Sequence, residues 1–103
     1  MRMMMKVSIP VEAGNAAAIE GKLGSTIQKI LTDMKPEAAY FVEENGLRTG
    51  IIIFQMTDQS EIPKFAEPWF IALNASLTIK PAMTIEDLGK AAPAMEAAAK
   101  AYA

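Results

Sequence analysis

The segment Ala38-Ala-Tyr-Phe-Val-Glu-Glu-Asn-Gly-Leu-Arg-Thr-Gly-Ile-Ile-Ile-Phe-Gln-Met56 decides the fold. Two runs rich in β-branched and aromatic residues flank Asn45-Gly46. A two-residue type I′ turn needs φ > 0 at both central positions, which Asn and Gly tolerate best. Such a turn sets Glu44 opposite Leu47, Glu43 opposite Arg48 and Phe41 opposite Gly50. Phe41, Ile52 and Phe54 then share one face of the hairpin, and Tyr40, Val42, Ile51, Ile53 and Gln55 share the other. Glu43 and Arg48 form an opposed charge pair, and Phe41 covers the bare backbone at Gly50.

A helix-and-strand unit lies on each side of this hairpin. Upstream, Met3, Met5, Val7 and Ile9 alternate with Met4, Lys6 and Ser8, the period of a half-buried strand that ends at Pro10. Gly14-Asn15 then opens a helix with Asn15 as its N-cap, and Ile19, Leu23, Ile27, Ile30, Leu31 and Met34 form its apolar stripe. Lys35, before Pro36, is pushed out of the right-handed helical region. Downstream, Asp58 and Glu61 have capping-box spacing ahead of a helix carrying Ile62, Phe65, Ala66, Trp69, Phe70 and Leu73. Pro68 predicts a kink or break in that helix, and Asn74 its end. A strand over residues 75–82 follows, with Leu77 and Ile79 on one side and Ser76, Thr78 and Lys80 on the other. Thr84 and Asp87 repeat the capping-box spacing. They start a C-terminal helix with the stripe Ile85, Leu88, Ala92, Met95, Ala99 and Tyr102, expected to dock on a neighbouring element.

The order β-α-β-β-α-β-α describes a single α+β domain over residues 1–103, a ferredoxin-like βαββαβ sandwich with an antiparallel sheet and an added C-terminal helix. Right-handed crossovers put both central helices on one face of the sheet. The other face should then be polar, yet the hairpin offers Tyr40, Val42, Ile51 and Ile53 there. A contiguous apolar patch of that kind marks an interaction surface. The expectation is a homodimer through the open sheet face, with a cavity between the sheets.

Composition removes several classes of chemistry. The 103 residues contain no Cys and no His, so disulfides, thiolate nucleophiles and the commonest metal and haem ligands are absent. No metal and no cofactor is expected. The formal net charge of −2, with Lys and Arg scattered singly, argues against nucleic acid as a partner. No apolar run approaches the ~20 residues of a membrane helix, and Met1 to Lys6 lacks a signal-peptide apolar region. The expected location is therefore cytoplasmic. Met1, Met3, Met4 and Met5 leave the native start open.

The order of elements, with Glu67-Pro-Trp-Phe70 and Asn74-Ala-Ser-Leu-Thr-Ile-Lys-Pro-Ala-Met-Thr-Ile-Glu-Asp-Leu88, resembles the dimeric α+β barrel superfamily. It is similar in particular to bacterial proteins of unknown function in that group. The resemblance implies a dimer of sheets around a lumen. Superfamily members include cofactor-free monooxygenases, muconolactone isomerase-like enzymes, haem-handling proteins and ligand-binding domains, and fold alone does not choose among them.

Candidate site residues follow from the open face. Lys6 and Lys80, with Tyr40 and Gln55, make the polar set that two facing sheets could enclose. Two lysines with no acid expected beside them favour a small anionic organic ligand, a carboxylate or phenolate. The competing reading sends both lysines to solvent at the rim. Trp69 reads as core, Glu43–Arg48 as a surface pair, and Glu44 as a turn residue. Two functions fit: a non-catalytic domain for small-ligand binding or interaction, or a cofactor-independent monooxygenase or isomerase acting on a small aromatic or enolisable substrate. The second would rest on desolvating and orienting a reactive substrate. No catalytic residue is identified by either.

Overall fold

A computed structural model describes residues 1–103. Strands β1 (Arg2–Ile9), β2 (Ala38–Glu44), β3 (Leu47–Gln55) and β4 (Ser76–Pro81) form one antiparallel sheet in the order β2-β3-β1-β4. Helices α1 (Val11–Ile19) and α2 (Leu23–Met34) precede the hairpin. After it come a 3-10 turn (Gln59–Glu61), α3 (Ile62–Leu73) and, beyond β4, α4 (Ile85–Lys90) and α5 (Ala92–Tyr102). This is the ferredoxin-like α+β arrangement expected from the sequence.

The hairpin has the expected register, with Glu44 opposite Leu47 and Phe41 opposite Gly50. Asn45 and Gly46 sit at φ 54° and 78°, as a type I′ turn requires. A Cβ on Gly50 would lie 3.0 Å from the Phe41 ring, so the ring rests directly on backbone. Glu43 and Arg48 face each other but take other partners. Glu43 accepts from the Gly46 N–H at 2.8 Å, and Arg48 donates to Asn15 Oδ1 at 3.1 Å.

The core lies between the sheet and helices α1 to α3. Met5, Ile52, Phe54 and Trp69 are fully buried, with Val7, Ile9 and Leu73 beside them. The Phe54 and Phe65 ring centroids are 4.6 Å apart. The Trp69 indole N–H is buried without an acceptor, an arrangement that costs about 1–3 kcal/mol and is outweighed by the apolar area the ring buries.

Several local expectations change. The first crossover is two helices, because Gly21 takes φ 72° in the turn between Ile19 and Leu23. Ile19 is consequently exposed and outside the core. Pro10 occupies the N-cap of α1, and Asn15 sits inside the helix, where it accepts from Arg48. Lys35 leaves the right-handed region as expected, at φ 51°. Helix α3 runs unbroken through Pro68, since Phe65, Ala66, Trp69 and Leu73 are all held in the core around it. Asp58 caps the 3-10 turn through the Ser60 N–H at 3.0 Å without a reciprocal bond from Glu61. Asn74 ends α3 in the left-handed conformation at φ 53°.

The C-terminal segment departs most from expectation. The Thr84–Asp87 capping box forms in full, with bonds of 3.0 and 3.1 Å. The helix it starts stops at Ala91, and Pro93 enters the first turn of α5. It does not dock on the body: all residues from Ala92 to Ala103 are exposed. The chain measures 58 × 29 × 20 Å with a radius of gyration of 17.2 Å, against about 13 Å for a compact chain of this length.

Candidate functional site

The strand register assigns the open face without ambiguity. Cross-strand partners share a face, so Met4, Ile53 and Ala38 align, as do Lys6, Ile51 and Tyr40, and Ser8, Thr49 and Val42. On β4, Lys80 lies beside Met4 and Thr78 beside Lys6. The centre of the face is apolar: Met4, Ile51 and Ile53 are half-buried, while Tyr40 is 64% and Val42 43% exposed. No helix of the protomer covers it.

Lys6, Tyr40, Gln55 and Lys80 all stand on this face, but they do not converge on one pocket. Lys6 pairs with Glu44 across β3. That bridge spans Thr49, which is 2% exposed although it lies on the open side. The expectation of lysines with no acid nearby is therefore corrected: Lys6 has a carboxylate partner on its own face, and Glu44 is more than a turn residue. Gln55 donates to Glu37, which also accepts from Arg2 Nε at 3.0 Å. The Arg2 hydrogen bond, followed by that from Gln55, holds the Glu37 carboxyl below its ordinary range. Lys80 has no carboxylate within ion-pair distance. A shallow recess of about 270 Å³ is lined by Lys6, Ser8, Glu44, Ser76, Leu77 and Thr78. Tyr40, Gln55 and Lys80 lie outside it.

Glu37 and Glu44 were missed as members of this surface. The signal for Glu44 was present: it has the same strand parity as Tyr40 and Val42, which places it on the open face one residue before the turn. Glu37 precedes β2 and is fixed there by its N–H bond to the Ile53 carbonyl at 2.8 Å, a tertiary detail without a sequence pattern.

Three larger recesses lie elsewhere, one of them, of about 400 Å³, beside Pro10, Glu12, Ala16 and Asn74. A second, of about 420 Å³, sits under the hairpin turn, between Ile9, Ile27, Phe41 and Arg48. Another, of about 610 Å³, runs between α2 and α3 past Lys29, Lys64, Pro68 and Ile71. Trp69 belongs to the core under α3 and faces away from the open sheet. No three acidic side chains converge as metal ligands would, and no helix is long and apolar enough to cross a membrane.

The fold and this exposed sheet define a small α+β sandwich with one unfilled face. The chain belongs to the family described as Domain of unknown function (DUF3303), whose model matches residues 1–96. No curated protein matches it. A solved formyltetrahydrofolate deformylase from Pseudomonas putida KT2440 is similar at a TM-score of 0.49 and 11% identity. That match covers 80% of this chain and 29% of the deformylase, so the chain spans under a third of the enzyme's length.

Proposed function

We propose that this domain acts as a homodimer that encloses a small organic ligand between two facing sheets, without catalysing a reaction on it. The observation that carries the reading is the apolar centre of the open face, Tyr40, Val42, Ile51 and Ile53, bounded by Arg2–Glu37 and Lys6–Glu44 pairs. An apolar middle inside a charged rim is the composition of a protein interface. Two such faces would form the layered barrel of the dimeric α+β superfamily.

The ligand preference narrows to Lys80. Lys6 is neutralised by Glu44, so Lys80 is the open-face cation left for an anion. A carboxylate or phenolate whose ring lies over Ile53 and Tyr40 would use both the apolar centre and that ammonium. The test is titration of isotopically labelled protein with benzoate and with benzamide, read by amide shifts of residues 38–55 and 76–81. Benzoate should bind the more tightly, and Lys80→Met should remove the difference while the dimer persists. Equal binding of both compounds, or shifts confined to the α2–α3 groove, would refute the ligand assignment.

A further inference from the structure

The α4–α5 segment has the features of a helical arm awaiting a surface. Its helix is deliberately started by the Thr84–Asp87 capping box. Ala91, the joint between α4 and α5, keeps right-handed helical angles (φ −84°, ψ −9°), and the Met95 N–H bonds back to its carbonyl at 3.1 Å. The two helices therefore continue one another closely instead of folding back. Ile85 is 75%, Met95 57% and Tyr102 90% exposed, on the three-and-four spacing of a single stripe. An isolated helix of this length is marginal in water, so an arm that leaves its own body bare needs another surface to hold it.

The root of the arm lies against the N-terminal end of β1. The Ala82 N–H donates to the Arg2 carbonyl at 3.0 Å, and Asp87 and Glu86 act electrostatically on the Arg2 guanidinium, which lies on the open face. The charge layout of that face orients a second copy. Arg2 and Lys6 on β1 are paired with Glu37 and Glu44 inside the protomer, so Lys80 on β4 is the one unpaired charge among these five. A two-fold axis along the strands sets β4 over the partner's β2 and keeps the two copies of Lys80 at opposite edges of the sandwich. An axis across the strands would stack β4 on β4 and oppose two copies of Lys80. Because the arm continues directly from β4, the first arrangement carries it over the partner's β2 edge, where Tyr40 and Val42 are the exposed apolar residues.

From the exposed stripe on α4–α5, its root beside Arg2 and the charge layout of the sheet, we infer that each protomer's arm docks across the β2 edge of a second copy, over Tyr40 and Val42. The exchange is reciprocal, so each chain's stripe and each chain's β2 edge are covered at once. An unrelated partner would satisfy one and leave the other wet. This inference rests on the face-to-face dimer proposed above and adds what closes its flank.

The experiment uses the full chain with a benzoylphenylalanine photocrosslinker at position 95, mixed as isotopically heavy and light protein, with sedimentation run in parallel. Mixed-isotope crosslinks to residues 38–44 are expected. A dimer lacking those crosslinks would overturn the arm assignment and leave the dimer standing. Crosslinks within one chain would show the arm folded back and overturn it as well. A monomer by sedimentation would remove both readings together. Met95→Lys, at an exposed position on a helix, keeps the fold and should raise the dimer dissociation constant about tenfold, which is ~1.4 kcal/mol. An unchanged constant contradicts the docked arm.

Discussion

The two faces of this sheet are built from the same strands and have opposite fates. On the helix side, Met5, Ile52 and Phe54 lose all their exposure to α1, α2 and α3. On the other side, Tyr40 and Val42 keep about half of theirs, and on this edge strand the helix-side Phe41 is also 49% exposed. Strands β1 and β4 show what a more polar open face looks like, with Lys6, Ser8, Thr78 and Lys80 there beside the single apolar Met4. Apolar character on both faces is concentrated in β2 and β3, with Met4 of β1 beside them. The hairpin thus leaves apolar surface that the chain's own helices do not cover, and the proposed dimer rests on that surface.

The largest expected contrast is between neighbouring isoleucines. Ile52→Lys places an ammonium in the sealed core and should abolish folding, read as loss of the cooperative melt. Ile53→Lys, one residue on, should leave a folded monomer and remove about 1.5–3 kcal/mol of interface burial per chain. Equal damage from both substitutions would break the comparison between the faces. Trp69→Ala should destabilise by about 3–5 kcal/mol in urea titration without altering the isolated open face.

A smaller effect separates the arm from the body. Thr84→Ala removes a complete capping box and should cost about 0.5–2 kcal/mol locally. Hydrogen exchange at residues 85–90 should rise while core amides of β1 and β3 stay protected. Acceleration in both would mean that the arm is part of the body's cooperative unit.

The smallest concerns acid. The folded Glu37 carboxyl is held low by Arg2 and then by Gln55. A carboxyl lowered on folding contributes stability that is present above its unfolded value and lost as pH falls through the folded one. Thermal melts should therefore weaken below the ordinary carboxylate range, and Glu37→Gln should remove part of that acid dependence. Because Glu37 is exposed, the change should be slight, and an unaltered acid limb would deny the Arg2–Glu37–Gln55 cluster any role in stability.

The sheet was legible because alternation and Asn45-Gly46 are local signals. Both faces and the hairpin register follow from them. The helices were read less well where a break lacks a strong pattern. Glu20-Gly21-Lys22 interrupts a run whose spacing continues past it, so Ile19 was counted into a stripe that it leaves. Pro68 does not break its helix, since tertiary packing around Trp69 holds a turn that local preference opposes. The open-face residues were placed on the correct side by parity alone. Their partners were not, because the Lys6–Glu44 bridge crosses an intervening strand and Glu37 belongs to no regular element. The arm's detachment had no sequence signature, since an apolar stripe looks the same whether it docks on its own chain or on another.

Tyr40 offers the most direct test of the proposed dimer, because it is an exposed open-face residue on the β2 edge in a chain with only two tyrosines. Hydroxyl-radical footprinting of the full chain over a dilution series measures its exposure and its dependence on association together. Tyr40 should be protected at micromolar concentration and gain reactivity on dilution, reaching the level of Ile53→Lys protein. Reactivity that is high and unchanged throughout the series would contradict the account.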